Sequence, residues 1–117
     1  MSVLVQEPTQ TMSFADNLQQ LPPVTHLEQL DIVDATGEVL ATIPNQPGKA
    51  GSLAVYHALW QRHGHLDAAA AAEGLELFAE HTAKAREQPG QHPNIDRLLD
   101  LIGTSTVWQV RLTPRNT

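Results

Sequence analysis

Apolar residues along the chain recur with a spacing that changes between segments, and each spacing predicts a different element. Phe14, Leu18 and Leu21 lie at i, i+4 and i+7 behind Ser13, which can cap a helix, so this pattern predicts a short amphipathic helix. From residue 30 to residue 43 the period becomes two on either side of the sequence "DATG". Such alternation around a turn predicts a β-hairpin in which Gly37 takes a positive φ.

The helical spacing returns after a loop rich in proline and glycine, "PNQPGKAGS". Ser52 is the expected N-cap of a helix over 53–63, which Gly64 ends. In that helix we expect His57 to lie away from the apolar side. Behind Asp67, residues 68–88 predict one continuous helix of about 20 residues, about 30 Å long.

Two further segments complete the predicted order. Asn94 is expected to cap a last helix that ends at Gly103, and alternation at Trp108, Val110 and Leu112 predicts a third strand. The order α-β-β-α-α-α-β, with strands before and after a block of helices, indicates an α+β fold. We expect a small, mostly antiparallel sheet of about three strands, the hairpin plus the C-terminal strand, packed with about four helices.

The length of the chain limits the number of domains, and its charge limits the classes of binding partner. Residues 13–115 are expected to form a single domain, with residues 1–12 as an extension outside it. The net charge is −6 and the basic residues do not cluster, which argues against nucleic acid or an anionic membrane as a partner. Because no segment is typical of a secretion signal or of a membrane span, a cytoplasmic location is expected.

The absence of cysteine excludes disulfides, thiolate nucleophiles and sulfur-ligated zinc or iron clusters. We predict no catalytic residue, because none of the serines lies in a G-x-S-x-G motif and the acids of the long helix lie on its solvated face. His63 and His65 flank one glycine, and that spacing alone is a weak metal signal. No histidine pair has the i, i+4 spacing of a helical metal site, so we predict no metal and no cofactor.

Two other histidines are candidates for a binding site. His81 lies among the apolar positions of the long helix, where an imidazole needs hydrogen-bond partners in the core or serves a ligand. His92 precedes Pro93 and a helix start, where free backbone N–H groups can bind an anion. The Asp96 carboxylate, in the first turn of that helix, would compete with an anion for the positive end of the helix dipole.

The loop "PGKAGS", residues 47–52, is the second candidate site. Gly48 and Gly51 permit close approach to the backbone, Lys49 supplies positive charge and Ser52 begins the next helix, so the loop can hold a phosphate or a carboxylate. In a nucleotide-binding P-loop the lysine follows the second glycine, whereas Lys49 precedes it. The pattern therefore does not predict nucleotide hydrolysis, and a tight strand-to-helix connection would explain the same glycines.

Three segments together resemble a known family: "PGKAGSLAVYHAL", "AAEGLELFAEHTAKAREQPGQHPNIDRLLDLI" and "WQVRL". They are similar to small bacterial proteins grouped as a domain of unknown function, number 2322, and the resemblance covers residues 13–113. It implies a bacterial, stand-alone domain and brings no reaction, cofactor or catalytic residue.

Two classes of function stay open. The first is a non-catalytic binding or adaptor protein that engages a protein partner or a second copy, as a homodimer, through the edges of its thin sheet. The second is a module that holds a small anion at Gly48–Ser52, with His81 or His92 nearby. An enzyme or a metal protein comes third. Convergence of the loop and these histidines on one cavity would favour ligand binding.

Overall fold

A computed structural model describes residues 13–115, and the expected extension 1–12 lies outside the described residues. The α+β class and the order of the predicted elements are confirmed, with one predicted helix divided into two. The strands are β1 (Leu27–Val33), β2 (Val39–Pro44) and β3 (Gln109–Pro114). The helices are α1 (Phe14–Gln19), α2 (Ala50–His63), α3 (Ala68–Phe78), α4 (Glu80–Glu87) and α5 (Pro93–Leu101).

The strands form one antiparallel sheet in the order β2-β1-β3. The predicted hairpin turn is confirmed: the Asp34 carboxylate accepts hydrogen bonds from the N–H groups of Thr36 and Glu38, and Gly37 has a φ of 92°. Alternate residues of the central strand, such as Leu30 and Ile32, are fully buried in the core. The sheet therefore forms one wall of the core, and the helices close it.

The central helix α2 is buried on nearly all sides, since every residue from 53 to 59 is buried. The expectation that His57 lies away from the apolar side is therefore wrong, because only 3% of this residue is exposed. The expected N-cap is also wrong: the Gln46 carbonyl accepts from the Ala50 N–H, so the helix begins early and Ser52 lies in its first turn. Gly64, with a φ of 78°, ends the helix as predicted.

The prediction of one continuous helix over 68–88 is wrong, because the helix is interrupted at Ala79, between α3 and α4. Ala79 has φ 53° and ψ −120°, a conformation that costs a residue with a side chain about 1–3 kcal/mol. Hydrogen bonds to groups freed at the break offset that cost. Asn17 donates to the Leu77 carbonyl at 2.9 Å and Thr82 donates to the Leu75 carbonyl at 2.6 Å.

The last helix begins one residue earlier than expected. Pro93 takes the first helical position, which suits its fixed φ and its missing N–H, and His92 precedes it. Asn94 is consequently a first-turn residue and not the predicted cap. Among residues 13–115, no helix has both the length and the apolar character that crossing a membrane requires.

Candidate functional site

The Gly48–Ser52 loop and both candidate histidines line one cleft, which has two adjoining compartments. The polar compartment has a volume of about 210 Å³ and the aromatic compartment about 190 Å³. The polar compartment is lined by Gly48, Lys49, Ser52, Gln91, His92, Pro93, Asn94 and Ile95. The aromatic compartment is lined by Phe14, Gly48, Ser52, Phe78, His81, His92 and Ile95.

One wall of the cleft is the start of α2. Lys49 occupies the N-cap position, and no side chain caps the helix there. The first N–H groups of a helix have no acceptor within it, and the helix dipole adds partial positive charge at the same end. The Ala50 N–H already donates to the Gln46 carbonyl, so the donors that this wall offers next to the lysine are the N–H groups of Gly51 and Ser52.

The opposite wall is the start of α5, which is also uncapped by a side chain. His92 lies at its N-cap position, and the imidazole has no hydrogen-bond partner among residues 13–115. Asp96 does not line the cleft: its carboxylate accepts from the Gly90 N–H at 2.9 Å, and its side chain borders a separate groove with Arg86. Asp96 nevertheless lies in the first turn of α5, so its charge is expected to oppose an anion at that helix start.

His81 reaches the cleft because the break at Ala79 places it in the first turn of α4. Its ring lies edge-on to Phe14, with centroids 4.9 Å apart, and Phe14 stacks on Phe78 with centroids 5.4 Å apart. In the described part of the chain, no hydrogen bond engages the His81 imidazole. The three rings form the wall of the aromatic compartment.

Gly51 does not line the cleft, but it shapes the cleft through its packing against α1. A Cβ atom at Gly51 would lie 3.0 Å from the Phe14 ring and 3.3 Å from Leu18. The missing side chain therefore lets α1 pack against the start of α2, which positions Phe14. Gly48, in contrast, lines both compartments and has a φ of 85°, a backbone conformation that favours glycine.

The two walls are fastened together by Tyr56, the only tyrosine of the chain. Its hydroxyl donates to the Asn94 carbonyl at 2.5 Å and accepts from Arg97 at 3.3 Å. Arg97 also donates to the Asn94 side chain at 2.9 Å. Burial raises the pKa of Tyr56 to about 12, although the nearby Arg97 charge opposes that rise.

Apart from the histidines, Lys49 is the one ionisable side chain among the residues that line the cleft, in a protein whose net charge is −6. Neither compartment is lined by an aspartate or a glutamate. Within residues 13–115, Lys49 forms no ion pair, and the same holds for Arg97 beside Asn94. The nearby Glu80 carboxylate is already occupied, since it accepts from the Phe14 N–H at 2.9 Å.

Two histidines outside the cleft, one at the end of α2 and one in the turn after it, are engaged by acids. His63 contacts the Glu73 carboxylate at 2.8 Å and His65 contacts the Asp67 carboxylate at 2.9 Å. Arg62 binds Glu73 as well. Across residues 13–115, no three histidine or acidic side chains are grouped closely enough to hold a metal ion.

Chemically, the cleft can bind an anion through N–H donors, an ammonium group and imidazoles. Sequence reasoning missed the aromatic wall, although Phe78 and His81 lie three residues apart, on one face of the helix predicted over 68–88, and could have suggested it. The contribution of Phe14 was not predictable, because it depends on the packing of α1 against Gly51. Nor did any local pattern join Tyr56 to Asn94, which lie 38 residues apart.

Fold and cleft together define a small α+β domain in which a three-stranded sheet supports a cleft between helices. Residues 14–112 match the family DUF2322, described as an uncharacterised protein conserved in bacteria, and the chain belongs to this family. The resemblance noted from the sequence is confirmed. Comparison with curated proteins and with solved structures finds no match.

Proposed function

We propose that this protein binds a small anion, a phosphate or a carboxylate, in the cleft between α2 and α5. The observation that carries the proposal is the convergence of Gly48, Lys49, Ser52, His81 and His92 on one cleft that no acidic residue lines. Convergent polar groups in a concave site are typical of ligand-binding proteins. The two helix starts add the N–H groups of Gly51, Ser52 and Asn94, which suit an anion. The other N–H groups there are engaged or missing, since Pro93 has none.

The roles of the residues follow from their positions. Lys49 supplies the charge that the anion meets, and Ser52 and Asn94 supply neutral hydrogen-bonding groups. His92 completes the polar compartment as a donor. Arg97 adds positive charge behind Asn94, and its bonds to Tyr56 and Asn94 keep it in place.

The test uses inorganic phosphate and the two lysines of the chain. Titration of phosphate into the protein at low salt, followed by calorimetry, should give a dissociation constant that rises about tenfold or more in Lys49→Gln, because a charge-assisted hydrogen bond is lost. Lys84→Gln is the matched control: Lys84 is also exposed, lies on α4 and does not line the cleft. It should bind phosphate as the wild type does.

Saturating phosphate should also raise the melting temperature of the wild type, because a ligand that binds only the folded state stabilises it. Equal weakening in the two lysine variants would mean non-specific attraction and would contradict the proposal. Absence of any phosphate or acetate binding at low salt would contradict it as well.

The other expectations from the sequence stay predictions. Both β2 and β3 are edge strands of the sheet, and Val39 and Leu40 on β2 are exposed, which supports self-association or a protein partner at that edge. A cytoplasmic location also stays a prediction.

A further inference from the structure

From the two compartments together we infer that the ligand is a small anion that carries a flat aromatic ring, with the anionic group in the polar compartment and the ring in the aromatic one. This inference rests on the proposed anion binding and adds the class of ligand. Four residues line both compartments, so a single small molecule can occupy both without crossing a wall: Gly48, Ser52, His92 and Ile95.

The size of the aromatic compartment suits a ring. Its volume is about 190 Å³, compared with about 150 Å³ for a closed apolar cavity that binds benzene. Because this compartment is open to solvent, one side of a bound ring would stay in contact with water. A bare phosphate or acetate would leave this compartment to water. A phosphate monoester or carboxylate of a single aromatic ring would fill it.

The chemistry of the wall also suits a ring. Phe14 offers apolar surface and is supported from below by Phe78, which stacks on it and is only 2% exposed. His81 lies edge-on to Phe14 with its ring nitrogens unpaired in the described part of the chain. Aromatic side chains bind further rings by stacked or edge-on contact. His81 can also donate a hydrogen bond to an oxygen that links the ring to its anionic group.

The compartments differ in what they recognise, and this makes the inference separable from the proposed function. The lysine and the helix starts lie in the polar compartment, so they attract any small anion. The aromatic side chains Phe14 and Phe78 line only the other compartment, so they contribute to affinity only when the anion carries a ring.

The experiment compares phenyl phosphate with methyl phosphate, and benzoate with acetate, by calorimetry on the full chain. We expect each aromatic anion to bind about tenfold or more tightly than its partner, and the pair with the larger affinity identifies phosphate or carboxylate as the anionic group. Phe14→Leu keeps an apolar side chain but removes the ring, so it should abolish most of the aromatic preference. His81→Gln should reduce the same preference.

The matched control is Trp60→Leu, which removes another half-buried ring that does not line the cleft. It should keep the full preference for the aromatic anions. Equal binding of the aromatic and methyl anions would overturn this inference and leave anion binding standing. Phenol binding as tightly as phenyl phosphate would overturn the proposed function, and a preference that survives in both Phe14→Leu and His81→Gln would overturn the aromatic assignment.

Discussion

Both ends of α2 carry basic residues, but these residues contact carboxylates only at the C-terminal end. At the C-terminal end, Arg62 and His63 both contact the Glu73 carboxylate, and in the turn that follows His65 contacts Asp67. At the N-terminal end, Lys49 and the neighbouring His92 have no carboxylate partner within the described residues. Both ends are basic, yet only one of them is paired by the protein's own acids.

The difference indicates which groups stabilise the fold and which are left for a ligand. Partial burial on its own would raise the pKa of Glu73, but the hydrogen bonds from His63 and Arg62 together lower it. The pKa of Asp67 is lowered first by its hydrogen bond from the Ala70 N–H, and His65 adds to the effect. These carboxylates join the end of α2 to the start of α3, so their bases have a structural task.

The largest expected effect is a loss of stability when the hydroxyl of Tyr56, which joins α2 to the start of α5, is removed. Tyr56→Phe removes the donor to the part-buried Asn94 carbonyl, and we expect the free energy of unfolding to fall by about 1–3 kcal/mol. Urea denaturation measures this loss. Because the chain has a single tyrosine, alkaline titration of the wild type by absorbance reports its ionisation directly, at a pKa of about 12. Wild-type stability in Tyr56→Phe, or an ordinary tyrosine pKa, would show that the two walls of the cleft are not fastened in this way.

The next effect compares the two ends directly. Glu73→Gln removes the acid shared by Arg62 and His63, and we expect a loss of about 0.5–1 kcal/mol, since Glu73 is partly exposed and the pairs are screened by solvent. Lys49→Gln should change the stability by less than about 0.5 kcal/mol, because Lys49 is exposed and pairs with no acid among residues 13–115. Chemical denaturation of both variants provides the comparison.

Phosphate binding should be affected in the opposite order to stability in the same two variants. Glu73→Gln should bind phosphate as the wild type does, whereas Lys49→Gln should bind it weakly. If Lys49→Gln lost more stability than Glu73→Gln in the absence of ligand, Lys49 would have a structural partner and the distinction between the ends of α2 would fail.

The sequence predicted elements well and their junctions poorly, and the reason is physical. Strands, helices and the hairpin depend on local periodicity, so their order could be inferred. The break at Ala79 could not, because it is offset by hydrogen bonds from residues far away in sequence, such as Asn17 to the Leu77 carbonyl. The helix starts at Ala50 and Pro93 were likewise displaced by backbone and proline geometry that outweighed the expected caps.

The candidate site shows the same limit. Gly48, Lys49, His81 and His92 could be selected by residue type and by their position next to a predicted helix start or among apolar positions. Whether His81 and Lys49 share a cleft depends on how α4 leaves α3 and how α5 packs against Tyr56. Long-range packing of this kind has no signature in one sequence.

The smallest effect tests whether an unpaired imidazole is by itself a sign of function. His57, in the middle of α2, is buried, and its Nδ1 atom has no hydrogen-bond partner among the described residues, yet it lines neither compartment of the cleft. Burial, and secondarily the charge of His26, lowers the pKa of His57 below its ordinary value of 6.5. The unfolded chain therefore binds a proton at a higher pH than the folded protein does, and stability is lost as the pH falls below about 6.5, towards the folded pKa.

Stability measured from pH 7.5 to pH 5 should fall less steeply in His57→Phe than in the wild type, with phosphate affinity at pH 7.5 unchanged. Identical slopes would mean that His57 titrates normally. Weakened phosphate binding in this variant would instead make His57 part of the site and break the link between function and the unpaired groups at the helix start.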